Sequence, residues 1–284
     1  MDYTDLKRGD VIPERNRKIK EIIGEDKHFI VYLDDKDIIC WDVDKTYKTS
    51  DKKFGKEFGN IENQISFWES NCNRLFNKKE SFDYKCLLAE GYARMLDARD
   101  DKTANSIIKS TSERIKVQGE QILRQNYLLA SFRATCIVII LLIIFIIMKE
   151  YIRKDIYEIC LTGFMGGIGG FISSMLRAAH YKPILSYGKR IHRMDGYLRI
   201  VYGLIGGAIV AIGVKANIIF GFLDSEKKNL FSLYFLGAIS GASEQLLPNI
   251  INQSGKIYSN KLNKSDKTKK KIPEKSNKSS KKVN

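Results

Sequence analysis

The stretch Gly163–Ser174 reads GFMGGIGGFISS, five glycines followed by two serines. Backbone bared at that density can cradle a phosphate, or it can let another helix come close. A dinucleotide loop needs G-x-G-x-x-G after a strand and at the opening of a helix. Gly167 and Gly169 begin such a pattern, but Ile172 stands at the third glycine, no lysine follows as in a P-loop, and no charge flanks the run. The helical reading accounts for more residues. On a helix Gly163, Gly167, Gly170 and Ser174 form one stripe, with Gly166, Gly169 and Ser173 beside it. In lipid, where little hydrophobic force draws helices together, close backbone approach through small residues supplies the contact.

Two later segments repeat the device, one with Gly203, Gly207 and Ala211, the other with Gly237 and Gly241. Each stripe runs on to a charge. Lys215 lies four residues beyond Ala211, and Glu244 three beyond Gly241. Pro248 removes the helical hydrogen bond to the Glu244 carbonyl, which gathers a carboxylate and a freed backbone oxygen at one place. A charge at membrane depth faces a bundle interior, a partner charge or water, so Lys215, Glu244 and Pro248 are candidates for an ion path. In an antiparallel hairpin Lys215 and Glu244 stand about 9 Å apart in level, so a direct bridge needs a shift of register.

Other chemistries find little support. The five cysteines have no C-x-x-C pair and no histidine at zinc-like spacing, and read as buried free thiols. His28, His180 and His192 are isolated from one another, and the many carboxylates alternate with lysines as on a solvated surface. The expectation is a protein with no catalytic residues, no metal and no cofactor.

The positioning elements are apolar. Thr135 to Met148, TCIVIILLIIFIIM, extended back to Ala130, reaches the ~20 residues that span ~30 Å of hydrocarbon. Similar runs follow at about 159–176, 200–223 and 230–251, interrupted only by Lys215 and Glu244. The fold expected is mainly α, a four-helix transmembrane bundle with a small α+β amino-terminal domain. The first span, dominated by isoleucine and leucine and without a small-residue stripe, is expected on the lipid-facing outside. Mean hydropathy of -0.25 hides this split, because the ends of the chain are highly charged.

Charge sets the orientation. The loops KEYIRKDIYE and DSEKKN cancel, whereas the middle loop carries Arg177, Lys182, Lys189, Arg190, Arg193 and Arg199 against Asp195. After Ile251 come eleven lysines against Asp266 and Glu274. Basic residues stay on the cytoplasmic side, which places both termini in the cytoplasm. The net +15 then serves topology and anionic lipid headgroups at the middle loop and the tail, in preference to nucleic acid.

Residues 1–60 contain a hairpin, HFIVYL and DIICWDV joined by DDK. Residues 61–129 are helical and end as a stalk. A helix across SFDYKCLLAEGYARMLDAR has Ser81 and Asp83 as candidate caps. In the next helix Ala104, Ile108, Thr111, Ile115, Ile122 and Leu129 keep a near-heptad seam, suited to a stalk or coiled coil running straight into lipid. Residues 252–284, rich in lysine, serine and asparagine, hold too little apolar surface to fold and are expected to be disordered.

The block GFMGGIGGFISSMLR, the arginine-started glycine helix after it and FLGAISGASEQLLP resemble bacterial multi-pass membrane proteins with a helical cytoplasmic stalk, membrane effectors of defence systems among them. The resemblance covers residues from the stalk to Pro248 and implies no assigned activity. The leading expectation is an oligomer, joined through the glycine seams, that forms a pore or gated ion path under control of the cytoplasmic domain. The alternative is a non-conducting anchor presenting that domain to a protein partner.

Overall fold

HFIVYL lacks the alternation of a strand with one wet face, and its structure explains why. In a computed structural model, which describes residues 3–12, 16–44, 47, 52–97, 99–216 and 230–243, the strand β3 (Phe29–Asp34) is buried at every position. It sits inside an antiparallel sheet of order β1 (Val11–Ile12), β2 (Arg17–Asp26), β3 and β4 (Ile39–Val43). Phe29, Val31 and Leu33 face the helices, and Ile30 and Tyr32 meet Tyr3, Ile12, Ile19 and Cys40 on the other side. Covering both faces removes the need for polar alternation. The β3–β4 hairpin pairs Leu33 with Ile39 and Phe29 with Val43, the two runs read from sequence. β2 completes the sheet that one hairpin could not make alone.

Two helices cover the sheet, α1 (Lys52–Leu75) and α2 (Lys78–Asp97). The cap of α2 is Asn77, whose side chain accepts the Glu80 N–H at 2.9 Å while Glu80 reaches back toward the Asn77 N–H at 3.4 Å. The candidate cap Ser81 is instead buried inside α2, and Asp83 lies in its interior as well.

α3 runs unbroken from Asp101 to Ile147. Ala104, Ile108, Thr111 and Ile115 are buried as the seam predicts, and the aliphatic ones join the core with α1 and α2. Past Ile115 the buried line follows Leu123, Tyr127 and Ala130 while Leu129 is exposed. A straight helix of 3.6 residues per turn drifts off a strict heptad, and here the line steps by four from Ile115 through Gly119 and Leu123 to Tyr127. Gly119 does not stop the helix: a Cβ there would lie 2.8 Å from Leu75 Cδ1.

The chain divides into two units, Met1–Ala130 with Ala178–Gly196, and Ser131–Arg177 with Tyr197–Asn284. The second, apolar unit holds the end of α3, α4 (Lys154–Ala178, up to Arg177), the greater part of α5 (Gly188–Lys215) and α6 (Leu230–Ala242). Among the described residues three helices, α3, α4 and α5, are long and apolar enough to cross a membrane, and α6 is a shorter apolar helix. Only 17% of the most apolar window of α3 is buried within the chain, against 44% for α4, the difference expected of an outer and a central helix. Glu244, Pro248 and the tail 252–284 lie outside the described residues.

The candidate site: a glycine seam and its terminal ion pair

α4 is the hub of the apolar unit, and its small residues are met from within the chain. On one side is α5. A Cβ on Gly166 would fall inside the Gly203 carbonyl oxygen and 3.0 Å from Gly207 Cα, one on Gly163 would lie 3.2 Å from Leu204 O, and one on Gly170 3.0 Å from Arg199 O. In the reverse direction a Cβ on Gly203 would stand 2.5 Å from Gly166 O, and one on Gly207 2.5 Å from Thr162 O. On another side is α6: Gly237 leaves 2.6 Å to Thr162 O, and Gly241 closes onto the Gly166 carbonyl. Gly167 differs, because its neighbours are the side chains of Leu204 and Val138 at 3.0 and 3.3 Å. Ala211 and Ser174 are fully buried. The Ser174 hydroxyl donates to Gly170 O at 2.9 Å and that of Ser240 to Gly237 O at 2.8 Å, so both are satisfied inside their own helices.

These contacts share one antiparallel register. Gly170 meets Arg199, Gly166 meets Gly203 and Thr162 meets Gly207, four residues back along α4 for four forward along α5. One further step brings Glu158 opposite Ala211, a turn short of Lys215. There the Lys215 ammonium lies 2.7 Å from Glu158 Oε2 and 3.0 Å from Asp155 Oδ1. Glu158 is 6% exposed, and Thr162 donates to its carbonyl oxygen at 2.7 Å. Sequence reading counted Asp155 and Glu158 as a neutral loop and carried the third span to residue 223. Within the described residues Lys215 closes α5, residues 217–223 of that span lie outside them, and the partners of Lys215 are on α4. Stepping the seam by fours would have found Glu158.

At the other end of the seam Arg199 donates to Ser173 Oγ at 2.8 Å. Between these levels neither α4 (159–176) nor α5 (200–214) carries a charged residue. Lys215→Met should therefore leave Glu158 as a buried carboxylate without its cation. The expected loss is about 2–3 kcal/mol, below the usual range for a fully buried pair because Lys215 keeps part of its side chain exposed. Adding Glu158→Gln should restore most of it, and a thermal double-mutant cycle in detergent measures the coupling.

The amino-terminal unit has two polar nodes that sequence reading missed. Lys85 is 1% exposed, donates to the Asp37 carbonyl and stands 3.8 Å from Glu69, which accepts the Ile39 N–H at 3.0 Å. Its signal was a lysine at the apolar spacing of Leu88, Tyr92 and Met95 on α2. Burial pushes the Glu69 carboxyl up, against the pull of the Ile39 N–H and Lys85. The second node fixes the segment between α4 and α5: Tyr181 stacks on Tyr127, its hydroxyl bonds His192 Nδ1 at 2.6 Å, and His192 Nε2 faces Ile184 O at 3.1 Å. A carbonyl can only accept, so Nε2 carries a proton, and the Tyr181 hydroxyl lies between Nδ1 and, at 3.4 Å, Asp195 Oδ2. Arg124 on α3 and Arg74 on α1 donate to the carbonyls of Tyr181 and Ser186.

Among the described residues no group of three histidine, cysteine or acidic side chains converges as metal ligands would. Cys40 and Cys72 are buried and Cys86, Cys136 and Cys160 half-buried, all free thiols. Burial pushes the Cys72 thiol up to about 12. Comparison with protein-family models, with curated proteins and with solved structures finds no match to this chain.

Proposed function

We propose that the protein is a membrane anchor, four helices crossing a bacterial inner membrane with both termini in the cytoplasm, which presents its α+β unit to a protein partner. The observation that supports this reading is the use of the small-residue seams. Gly166, Gly203, Gly207, Gly237 and Gly241 meet backbone of the same chain, so they offer no free face for joining further copies. The charge at the end of α5 is matched by Asp155 and Glu158, and among the described residues the α4–α5 seam carries no charged side chain to line an ion path. Basic residues of the middle segment and the tail would hold anionic headgroups on the cytoplasmic side.

A specific feature keeps the oligomeric pore as a second reading. The chain passes between its two units three times, after Ala130, Arg177 and Gly196, so a partner acting on the α+β unit has three covalent routes into the apolar one. The anchor reading expects purified full-length protein in liposomes to pass no more potassium or chloride than empty liposomes, and to be monomeric in mild detergent. A conducting, higher-order assembly would replace it with the pore.

A further inference from the structure

We propose that the partner docks as an extended, basic segment along the outer edge of β2, in the cleft between that strand and α2. This deepens the anchor reading by naming the surface, and it is tested by strand binding, which liposome flux does not measure.

The sheet has two edges, and they are treated differently. At β4 the Ile39 N–H is taken by Glu69 and the Val43 N–H by Asp42 Oδ1, so side-chain carboxylates occupy the edge where another strand would bond. At β2 the short β1 and the turn before it cover the strand as far as Ile19, which bonds Gly9 and Asp10. From Lys20 to Asp26 no strand lies beside it among the described residues. The register shows which groups face outward. Asp34 N–H bonds Ile38 O and Asp44 N–H bonds His28 O, so the even residues of β3 serve β4 and the odd ones serve β2. Gly24 and Asp26, paired with Val31 and Phe29, therefore point inward, and the backbone of Glu25 points out.

Beside this edge lies a cleft of ≈ 450 Å³ between β2 and α2. Gly24 closes its floor: a Cβ there would lie 2.6 Å from Ala93 Cβ, so strand and helix meet without a side chain between them. Ile23 and Leu87 give it apolar wall, with Leu87 36% exposed, while Ile22 packs into the cluster on the other face of the sheet. Glu25, Glu90 and Asp97 give it acidic rims, while its one guanidinium, Arg94, is engaged by Glu90 at 3.6 Å. An open backbone edge next to a helix-walled slot is the arrangement that takes an added strand, with main-chain bonds for affinity and alternate side chains for specificity. Glu25 and Asp97, the carboxylates that remain beside the Glu90–Arg94 pair, select lysine or arginine at the positions facing them. The bulges at Ile19/Glu21 and Ile22/Gly24 limit the pairing to a short segment, which keeps the edge from propagating into aggregates.

The test uses the full chain in nanodiscs and three labelled decapeptides: alternating valine and lysine, the same with a central proline, and alternating valine and glutamate. Anisotropy should detect the lysine peptide, with at least about tenfold weaker binding of the other two. The exposed double variant Glu25→Lys/Asp97→Lys should lose the lysine peptide by a similar factor. Hydrogen exchange should slow at the Glu25 amide on binding. Equal binding of the proline peptide, or protection absent from β2, overturns the proposal. If deleting residues 252–284 by itself speeds exchange at β2, the lysine-rich tail of this chain is the occupant and the partner reading falls.

Discussion

Gly166→Ala is expected to destabilise the apolar unit by about 3 kcal/mol or more, while Gly167→Ala, one residue along, is expected to be nearly neutral. The two positions have the same sequence environment and opposite surroundings. A methyl on Gly166 is driven into the Gly203 carbonyl oxygen and against Gly207 Cα, and the Gly241 backbone leaves no way to retreat on the α6 side. Backbone yields only if whole helices separate, so the cost lies at or above the usual range for overpacking. At Gly167 the methyl meets the ends of Leu204 and Val138, which rotate, and alanine adds up to about 1 kcal/mol of helix preference. Thermal labelling of Cys160, a half-buried thiol on α4, reports this unit. A large drop for Gly166→Ala beside an unchanged or raised midpoint for Gly167→Ala is the expected result, and equal behaviour of the two would discredit the α4–α5 register.

Lys85→Met should cost the amino-terminal unit about 3 kcal/mol at pH 7.5, by leaving the Glu69 carboxylate buried without its cation. The cost should shrink on acidification. Burial raises the folded-state pKa of Glu69, so the folded protein binds its proton more tightly than the unfolded chain does. Stability tied to this group is thus greatest below the unfolded pKa and falls as pH rises towards the folded one. Removing Lys85 takes away a force that holds the pKa down and so widens that window upward. The variant should gain on the parent between pH 7.5 and pH 5, and Lys85→Met/Glu69→Gln should lose the pH dependence, since a glutamine still accepts the Ile39 N–H. Both tryptophans, Trp41 and Trp68, pack in this unit, so fluorescence unfolding of the full chain reads it alone. A pH-independent penalty would show that Glu69 does not depend on Lys85.

The apolar runs, the β3–β4 hairpin and the small-residue stripes were legible in the chain, because each is a local matter of hydropathy, period and turn chemistry. The stripes named the right faces but not what lies on them. Whether Gly166 meets a second copy or Gly203 of its own chain depends on how α4, α5 and α6 are arranged, and no period within one helix encodes that. The same limit hid Glu158. It follows Asp155 in what reads as a balanced loop, and only the antiparallel register of two glycine helices carries it to Lys215, for which sequence reading had looked to Glu244. Lys85 was hidden for the opposite reason. A lysine on an apolar stripe reads as surface until the fold shows that the Asp37 carbonyl and Glu69 meet it in the core. Sequence alone therefore determined which segments leave water and which faces can touch, because these follow from the chemistry of neighbouring residues. Tertiary structure alone decided which faces do touch and which charges are paired, because those contacts join residues far apart in the chain.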